Sequence, residues 1–164
     1  MNLQGLNFEF TETSSHVELA AAMHQQCFSK PWDEASFHSA MNIPGTVLVL
    51  ASEKSVPVAF LVYRYSEPEA EILTLGVLPA VRQRSIAGAL LDQGRLYLQE
   101  RQVETLWLEV SSRNQSALRL YKSQGFEETG RRKDYYQDGG KKEDAIIMKQ
   151  IFSTSNLRID KRKT

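Results

Sequence analysis

Three short stretches of this chain hold side chains that could do chemistry. In Leu106-Trp107-Leu108-Glu109-Val110 a carboxylate interrupts an apolar run, where it must be paired, neutralised or open to a cleft. Glu109 is therefore either a proton acceptor in a site or a strand-end residue that alternation turns to solvent. In Leu75-Gly76-Val77-Leu78-Pro79-Ala80-Val81-Arg82-Gln83-Arg84-Ser85-Ile86-Ala87-Gly88 an apolar run enters a helical pattern through a loop with two arginines. Such a junction suits a phosphate ligand, because unpaired N–H groups and the positive end of the helix dipole face outward there. Arg82 and Arg84 add full charges and forked donors. In the third stretch, Asn114 to Phe126, Asn114 is a good helix cap and Tyr121 lies two turns further along the same face. On their own these are one cap and one core aromatic.

Other reactive residue types carry less. His16, His24 and His38 have no partnering cysteines and no tight ligand spacing, so they read as ordinary helix or surface residues and no metal is expected. Cys27 is the only cysteine, which rules out an internal disulfide. It stands on an early helix without a nearby histidine and reads as a small core residue rather than a nucleophile.

The elements that must position these groups follow from periodicity. Residues 6–12 alternate like a half-buried strand, and Thr13, Ser14 and Ser15 offer capping side chains to a helix over 17–28. Lys30-Pro31-Trp32 ends that helix, since proline restricts the residue before it and has no N–H for the ladder. A short helix over 33–41, capped by Asp33, leads to β segments over 46–51, 58–65 and 71–77. Beyond Pro79 the period is helical to about residue 101, with Ile86, Leu90 and Tyr97 on one side. The run 105–110 reads as a strand covered on both faces, and 114–124 as a helix ended by Gly125. Segments 127–136 and 144–149 make a closing hairpin around Asp138-Gly139-Gly140.

Strand, helix, strand, helix implies a right-handed crossover joining parallel strands over 71–77 and 105–110. Ligands in such folds bind beyond the carboxyl ends of the strands, so these two are expected to splay apart there and open a cleft. The expected fold class is thus a single-domain α/β (α+β) mixed sheet, partly splayed and flanked by helices, over 1–152. Residues 153–164 are expected to be a flexible basic tail rather than a nucleic-acid arm.

Composition sets the bounds. The chain has 164 residues, 41% hydrophobic and 24% charged, values of one ordinary globular domain. Basic and acidic residues number 20 each, which leaves no net field for nucleic acid or an anionic membrane. No apolar stretch approaches the ~20 residues that span a bilayer, and no basic segment followed by an apolar one opens the chain. A cytoplasmic location is expected.

Taken together, the motifs resemble those of the GNAT N-acetyltransferases, and within them the RimI-type alanine acetyltransferases of ribosomal proteins. Val77, Pro79, Arg82 and Ala87 keep the order of a valine-x-proline-x-x-(arginine or glutamine)-x-x-glycine-x-(glycine or alanine) pattern, which grips the pyrophosphate of coenzyme A in that family. Ser85 stands where the family has glycine, and serine carries a steric cost there if φ must be positive. The stretch around Glu109 is similar to the strand whose glutamate accepts a proton. Asn114, Tyr121, Gly125 and Phe126 match a cofactor-contacting asparagine, a tyrosine beside the thioester sulfur, and the glycine-phenylalanine pair after it. Pro31-Trp32, Asp134-Tyr135-Tyr136 and Glu143-Asp144-Ala145-Ile146-Ile147-Met148 resemble the RimI type in particular.

The resemblance implies direct transfer of an acetyl group from acetyl-CoA to an amine, with Glu109 as proton acceptor and Tyr121 as donor to the departing thiolate. It implies Leu75, Gly76, Val77, Arg82, Gln83, Arg84, Ser85, Ile86, Ala87, Gly88 and Asn114 against acetyl-CoA, with backbone N–H groups at 76–77 polarising the thioester. Trp32 and Tyr135 fall to the acceptor. The acceptor it implies is a protein N-terminus, the N-terminal alanine of a ribosomal protein. A lysine side chain or a small-molecule amine stays open as acceptor, and so does an acyl-CoA-binding module that does not turn over.

Overall fold

Alternating strands and amphipathic helices assemble here into one seven-stranded sheet with helices on both faces. The computed structural model describes residues 5–152, so the expected tail over 153–164 lies outside the described residues. In chain order the elements are β1 Leu6–Thr11, α1 Val17–Cys27, α2 Glu34–Met41, β2 Thr46–Glu53, β3 Val56–Ser66 and β4 Glu69–Val77. A 3₁₀ turn Pro79–Val81 leads to α3 Ile86–Glu100, β5 Thr105–Ser111, α4 Gln115–Ser123, β6 Glu127–Asp138 and β7 Lys141–Ile151.

Strand order is β1-β2-β3-β4-β5-β7-β6. All neighbours are antiparallel except β4 and β5, which run parallel as the crossover requires. That parallel pairing lasts only from Glu69↔Thr105 to Glu71↔Trp107. Beyond it β4 stays with β3 as far as Val77, and β5 stays with β7 as far as Ser111. The sheet therefore splits into a V. A bulge marks the split: Tyr63 pairs with Ile72 and Val62 with Thr74, so Leu73 is an extra residue that bends β4 away.

The two faces carry separate cores. Val47, Val49, Leu61 and Tyr63 pack with Leu90, Leu91 and Leu98 of α3, and Leu106, Leu108, Ile146 and Met148 continue that layer. On the other face Leu48, Leu50, Phe60 and Val62 pack with Val17, Ala20 and Met23 of α1 and Phe37 and Met41 of α2. This second core does not extend over β5 to β7. The expectation that β5 is covered on both faces is thereby corrected: Leu106, Leu108 and Val110 are buried, but Trp107 and Glu109 on the opposite side are only half-buried. The apolar run looked continuous because Trp107 is apolar while lying on the uncovered side.

Two local details also refine the reading. Asp33 caps α2 as expected, its Oδ1 accepting from the Ser36 N–H at 2.8 Å. For α1 the expected Thr/Ser cap fails: His16 occupies the cap at φ +67° with no side-chain cap bond, while the Thr13 and Ser15 hydroxyls bond each other at 2.7 Å. The closing hairpin is longer than expected, and it turns through Gly139 (φ +55°) and Gly140 (φ +81°), two positive-φ positions that favour glycine.

Candidate functional site

The V between β4 and β5 encloses a cleft of about 620 Å³. Leu75, Gly76, Val77, Arg82, Gln83, Ser85, Ile86, Ala87, Gly88 and Asn114 all line it, so of the expected cofactor residues only Arg84 does not. One wall is the edge of β4. The Leu78 N–H bonds to the Val58 carbonyl of β3 at 2.9 Å, so alternation along the strand turns the Val77 and Leu75 N–H groups the other way, into the cleft. The donor expected at 76–77 is thus Val77, because Gly76 belongs to the β3 ladder. Gly76 serves by lacking a side chain: a Cβ there would meet the Phe60 ring at 2.5 Å.

The floor is the loop into α3. Gln83 (φ +61°) and Ser85 (φ +59°) both adopt the left-handed conformation, so serine does occupy a position suited to glycine. Ser85 is the helix cap, with no side-chain cap bond. The Ser85 carbonyl accepts from Ala89, which leaves the N–H groups of Ile86, Ala87 and Gly88 without intrahelical partners at the positive end of the helix dipole. Arg82 donates through Nε to the Val77 carbonyl at 3.0 Å and folds the loop onto the end of β4. Arg84 turns outward to Glu53 of β2, with bonds of 3.1 and 2.6 Å. That guanidinium holds the Glu53 carboxyl below its usual range, so each charge of the pair is matched by the other.

The opposite wall is α4. Asn114 caps it, its Oδ1 accepting from Ala117 at 3.1 Å, and Ser116, Ala117 and Leu120 face the cleft. Tyr121 is buried and meets Phe126 edge-on at 5.5 Å. Burial pushes its phenol up to about 12, so it stays protonated at neutral pH.

Glu109 lies on β5 just past the last β4 contact, on the face that the helices leave uncovered. Its Oε1 is 3.1 Å from Nη2 of Arg132 on β6. Of the options for a carboxylate in an apolar run, pairing is the one realised. Tyr136 is half-buried nearby, its phenol raised first by burial and then by the Glu109 charge. Tyr135, the tyrosine expected at the acceptor, is 52% exposed, with the Arg132 guanidinium 5.1 Å from its ring centre. Trp32 packs partly buried against Phe37 at 5.2 Å. Beside it the Lys30 ammonium donates to the Gln137 carbonyl at 3.3 Å, which brings the α1–α2 loop to β6.

Among the residues around the site that sequence reasoning did not propose, three stand out. Cys27 lines the cleft and its thiol donates to the Val77 carbonyl at 3.5 Å; burial raises its pKa despite the lowering effect of Arg82. Tyr136 was masked by its neighbour Tyr135. His24 is not a surface residue but is 3% exposed, with both ring nitrogens bonded. Its spacing from Phe28, one turn on, was the available signal.

Comparison with known proteins agrees with this geometry. Residues 17–126 match the family described as Acetyltransferase (GNAT) family. The [Ribosomal protein bS18]-alanine N-acetyltransferase of Escherichia coli K12 is 35% identical over 134 residues, covering 80% of this chain and 90% of that protein. The N-alpha-acetyltransferase RimI of Mycobacterium tuberculosis is 31% identical over 144 residues, covering 84% and 88%. The crystal structure of the Escherichia coli ribosomal-protein-S18-alanine N-acetyltransferase superposes with a TM-score of 0.83 at 29% identity, covering 94% of this chain and 99% of that one. Arabidopsis thaliana NAA60 in complex with acetyl-CoA shares the fold, with a TM-score of 0.76 at 23% identity over 89% of this chain and 98% of its own. With its motifs set around the split in the sheet and the family matched over most of its length, this chain belongs to the GNAT acetyltransferase family.

Proposed function

We propose that this acetyltransferase uses acetyl-CoA to acetylate a protein α-amine, the N-terminal alanine of a ribosomal protein such as bS18, on which its named relatives act. The observation that carries the reading is the split between β4 and β5. It sets a row of unpaired backbone donors on one side, and on the other a paired carboxylate on a face open to a second substrate. The cleft suits acetyl-CoA: the N–H groups of Ile86 to Gly88 and Arg82 offer donors and positive charge to a pyrophosphate, and Val77 offers an N–H to a thioester carbonyl. Acetyl-CoA supplies an acetyl group activated as a thioester. Such a reading places the enzyme in the cytoplasm with its acceptor.

An amine must be neutral to attack. At pH 7 about one α-amine in ten is neutral, against fewer than about one lysine side chain in a thousand, so an N-terminus asks less of a base. Glu109 Oε1 accepts the proton that the amine loses, and Arg132 must yield its place for that to happen. We assign the proton for the departing thiolate to Tyr121, the helix neighbour of cleft-lining Leu120, whose phenol burial keeps protonated at neutral pH.

A mass-spectrometric acetylation assay on a peptide library tests the reading. Peptides with a free N-terminal alanine should gain one acetyl group, and the same peptides with blocked N-termini should gain none even when they contain lysine. Labelling confined to lysine would overturn the acceptor. Binding of acetyl-CoA without release of coenzyme A would overturn turnover itself.

A further inference from the structure

We propose that His24 is a positioning residue for the acceptor: its ring ties the loop carrying Trp32 to Thr74 of β4, fixing the acceptor side against the strand that presents Val77. This inference rests on the acceptor reading above. His24 Nδ1 accepts the Trp32 N–H at 3.0 Å, and Nε2 lies 3.0 Å from the Thr74 hydroxyl. A ring nitrogen that accepts carries no proton, so in the neutral ring Nε2 holds it and donates to Thr74. Thr74 stands between the bulge residue Leu73 and the cleft residue Leu75. One side chain therefore links the loop after α1 to the strand at the point where the sheet splits.

Packing alone does not account for a histidine here. Its ring stacks on Phe28 at 4.2 Å and on Trp32 at 5.7 Å, and meets Phe37 edge-on at 5.6 Å and Phe60 at 5.4 Å. An apolar side chain would fill such a cage without bringing two polar atoms into it. The groups around the ring are Phe28 just after α1, Trp32 of the loop, Phe37 of α2, Phe60 of β3 and Thr74 of β4, none of them charged. Burial without a counter-charge pushes its pKa down to about 4, so at neutral pH the ring is a fixed donor–acceptor pair rather than a proton carrier. The loop it holds also reaches across the acceptor face, where Lys30 bonds the carbonyl of Gln137, next to Tyr136. Phe60 completes the link, since its ring lies under Gly76.

The test compares His24→Leu, which keeps bulk but neither bond, with His24→Gln, whose amide supplies one acceptor and one donor, and with Thr74→Val. Kinetics with acceptor peptide and acetyl-CoA varied separately are read beside hydrogen–deuterium exchange of residues 28–33. For His24→Leu we expect the acceptor KM to rise about tenfold, the scale of one or two lost hydrogen bonds, with the acetyl-CoA KM unchanged. The loop should exchange faster, His24→Gln should restore most of both, and Thr74→Val should fall between. Loss of kcat with no change in acceptor KM, or a loop that exchanges as in the wild type, would overturn the proposal. Should the wild-type chain acetylate no peptide, the acceptor reading fails by itself. The exchange measurement then still decides whether the clamp holds the loop.

Discussion

The two sides of the split sheet are built from different materials. On the β4–α3 side the donors are backbone groups: the Val77 N–H, and the N–H groups of Ile86 to Gly88 at the start of a helix. On the β5–β6 side the polar groups are side chains, Glu109 paired with Arg132 beside Tyr136. Backbone donors are set by local conformation and tolerate replacement of the side chains above them. A side-chain constellation drawn from two strands depends on each member. The first side suits a constant ligand, and the second can be retuned to different acceptors.

Substitutions should separate the sides, beginning where the effect is largest. Glu109→Gln should lower turnover roughly a hundredfold or more while leaving acetyl-CoA affinity intact, and the deficit should shrink as pH rises and the amine deprotonates unaided. A pH series of kcat checks this; near-normal turnover at neutral pH would make Glu109 a structural carboxylate. Tyr121→Phe should slow turnover by a smaller factor, roughly tenfold or more, without recovery at high pH, since protonating the thiolate becomes harder there. Identical pH responses in the two variants would break the assigned division of roles.

Smaller effects belong to the backbone-built side. Calorimetry of acetyl-CoA binding should show Arg82→Ala weaker by about tenfold, more so at low salt, because a charge at the cleft is removed. Arg84→Ala should lose only about two- to threefold, since its guanidinium is bound to Glu53 and acts only by holding the loop. Equal losses would mean that Arg84 swings into the cleft. The smallest expected change is Ser85→Gly, a gain of roughly 1 kcal/mol or less in binding or stability from relief of the left-handed serine. An unchanged affinity and melting temperature would show that the loop has adapted to serine.

How much was legible in the sequence follows the same division. Element order and the parallel β4–β5 pair follow from local periodicity and the handedness of crossovers, the Asp33 cap from its residue type, and the splay from the rule that ligands bind beyond the carboxyl ends of such strands. The loop into α3 was legible because its pattern is contiguous, and the glycine that Ser85 replaces made the sign of its φ the open question, which the structure answers as positive. What was not legible depends on partners far along the chain. Arg84 turns to Glu53, which lies 31 residues earlier, and nothing near Arg84 marks that carboxylate. The bulge at Leu73 has no glycine or proline to announce it and exists only in the register with β3. The irregular pairing between Arg132 and Tyr136 likewise interrupts alternation, so which tyrosine lies near Glu109 could not be read from the order of residues. The cage around His24 draws on two helices, a loop and two strands.

That cage has a consequence for acid tolerance. An unfolded chain leaves His24 near its ordinary value of 6.5, whereas in the fold the ring titrates at about 4. Between those values the unfolded state takes up a proton that the folded state refuses, so the contribution of His24 to folding stability is complete well above pH 6.5 and is lost as pH drops toward 4. Urea melts at about pH 7.5 and about pH 4.5, on either side of that unfolded value, should therefore differ more in the wild type than in His24→Gln, which has no proton to gain. The histidine that joins the Trp32 loop to β4 at neutral pH is thus a point from which acid would open this fold.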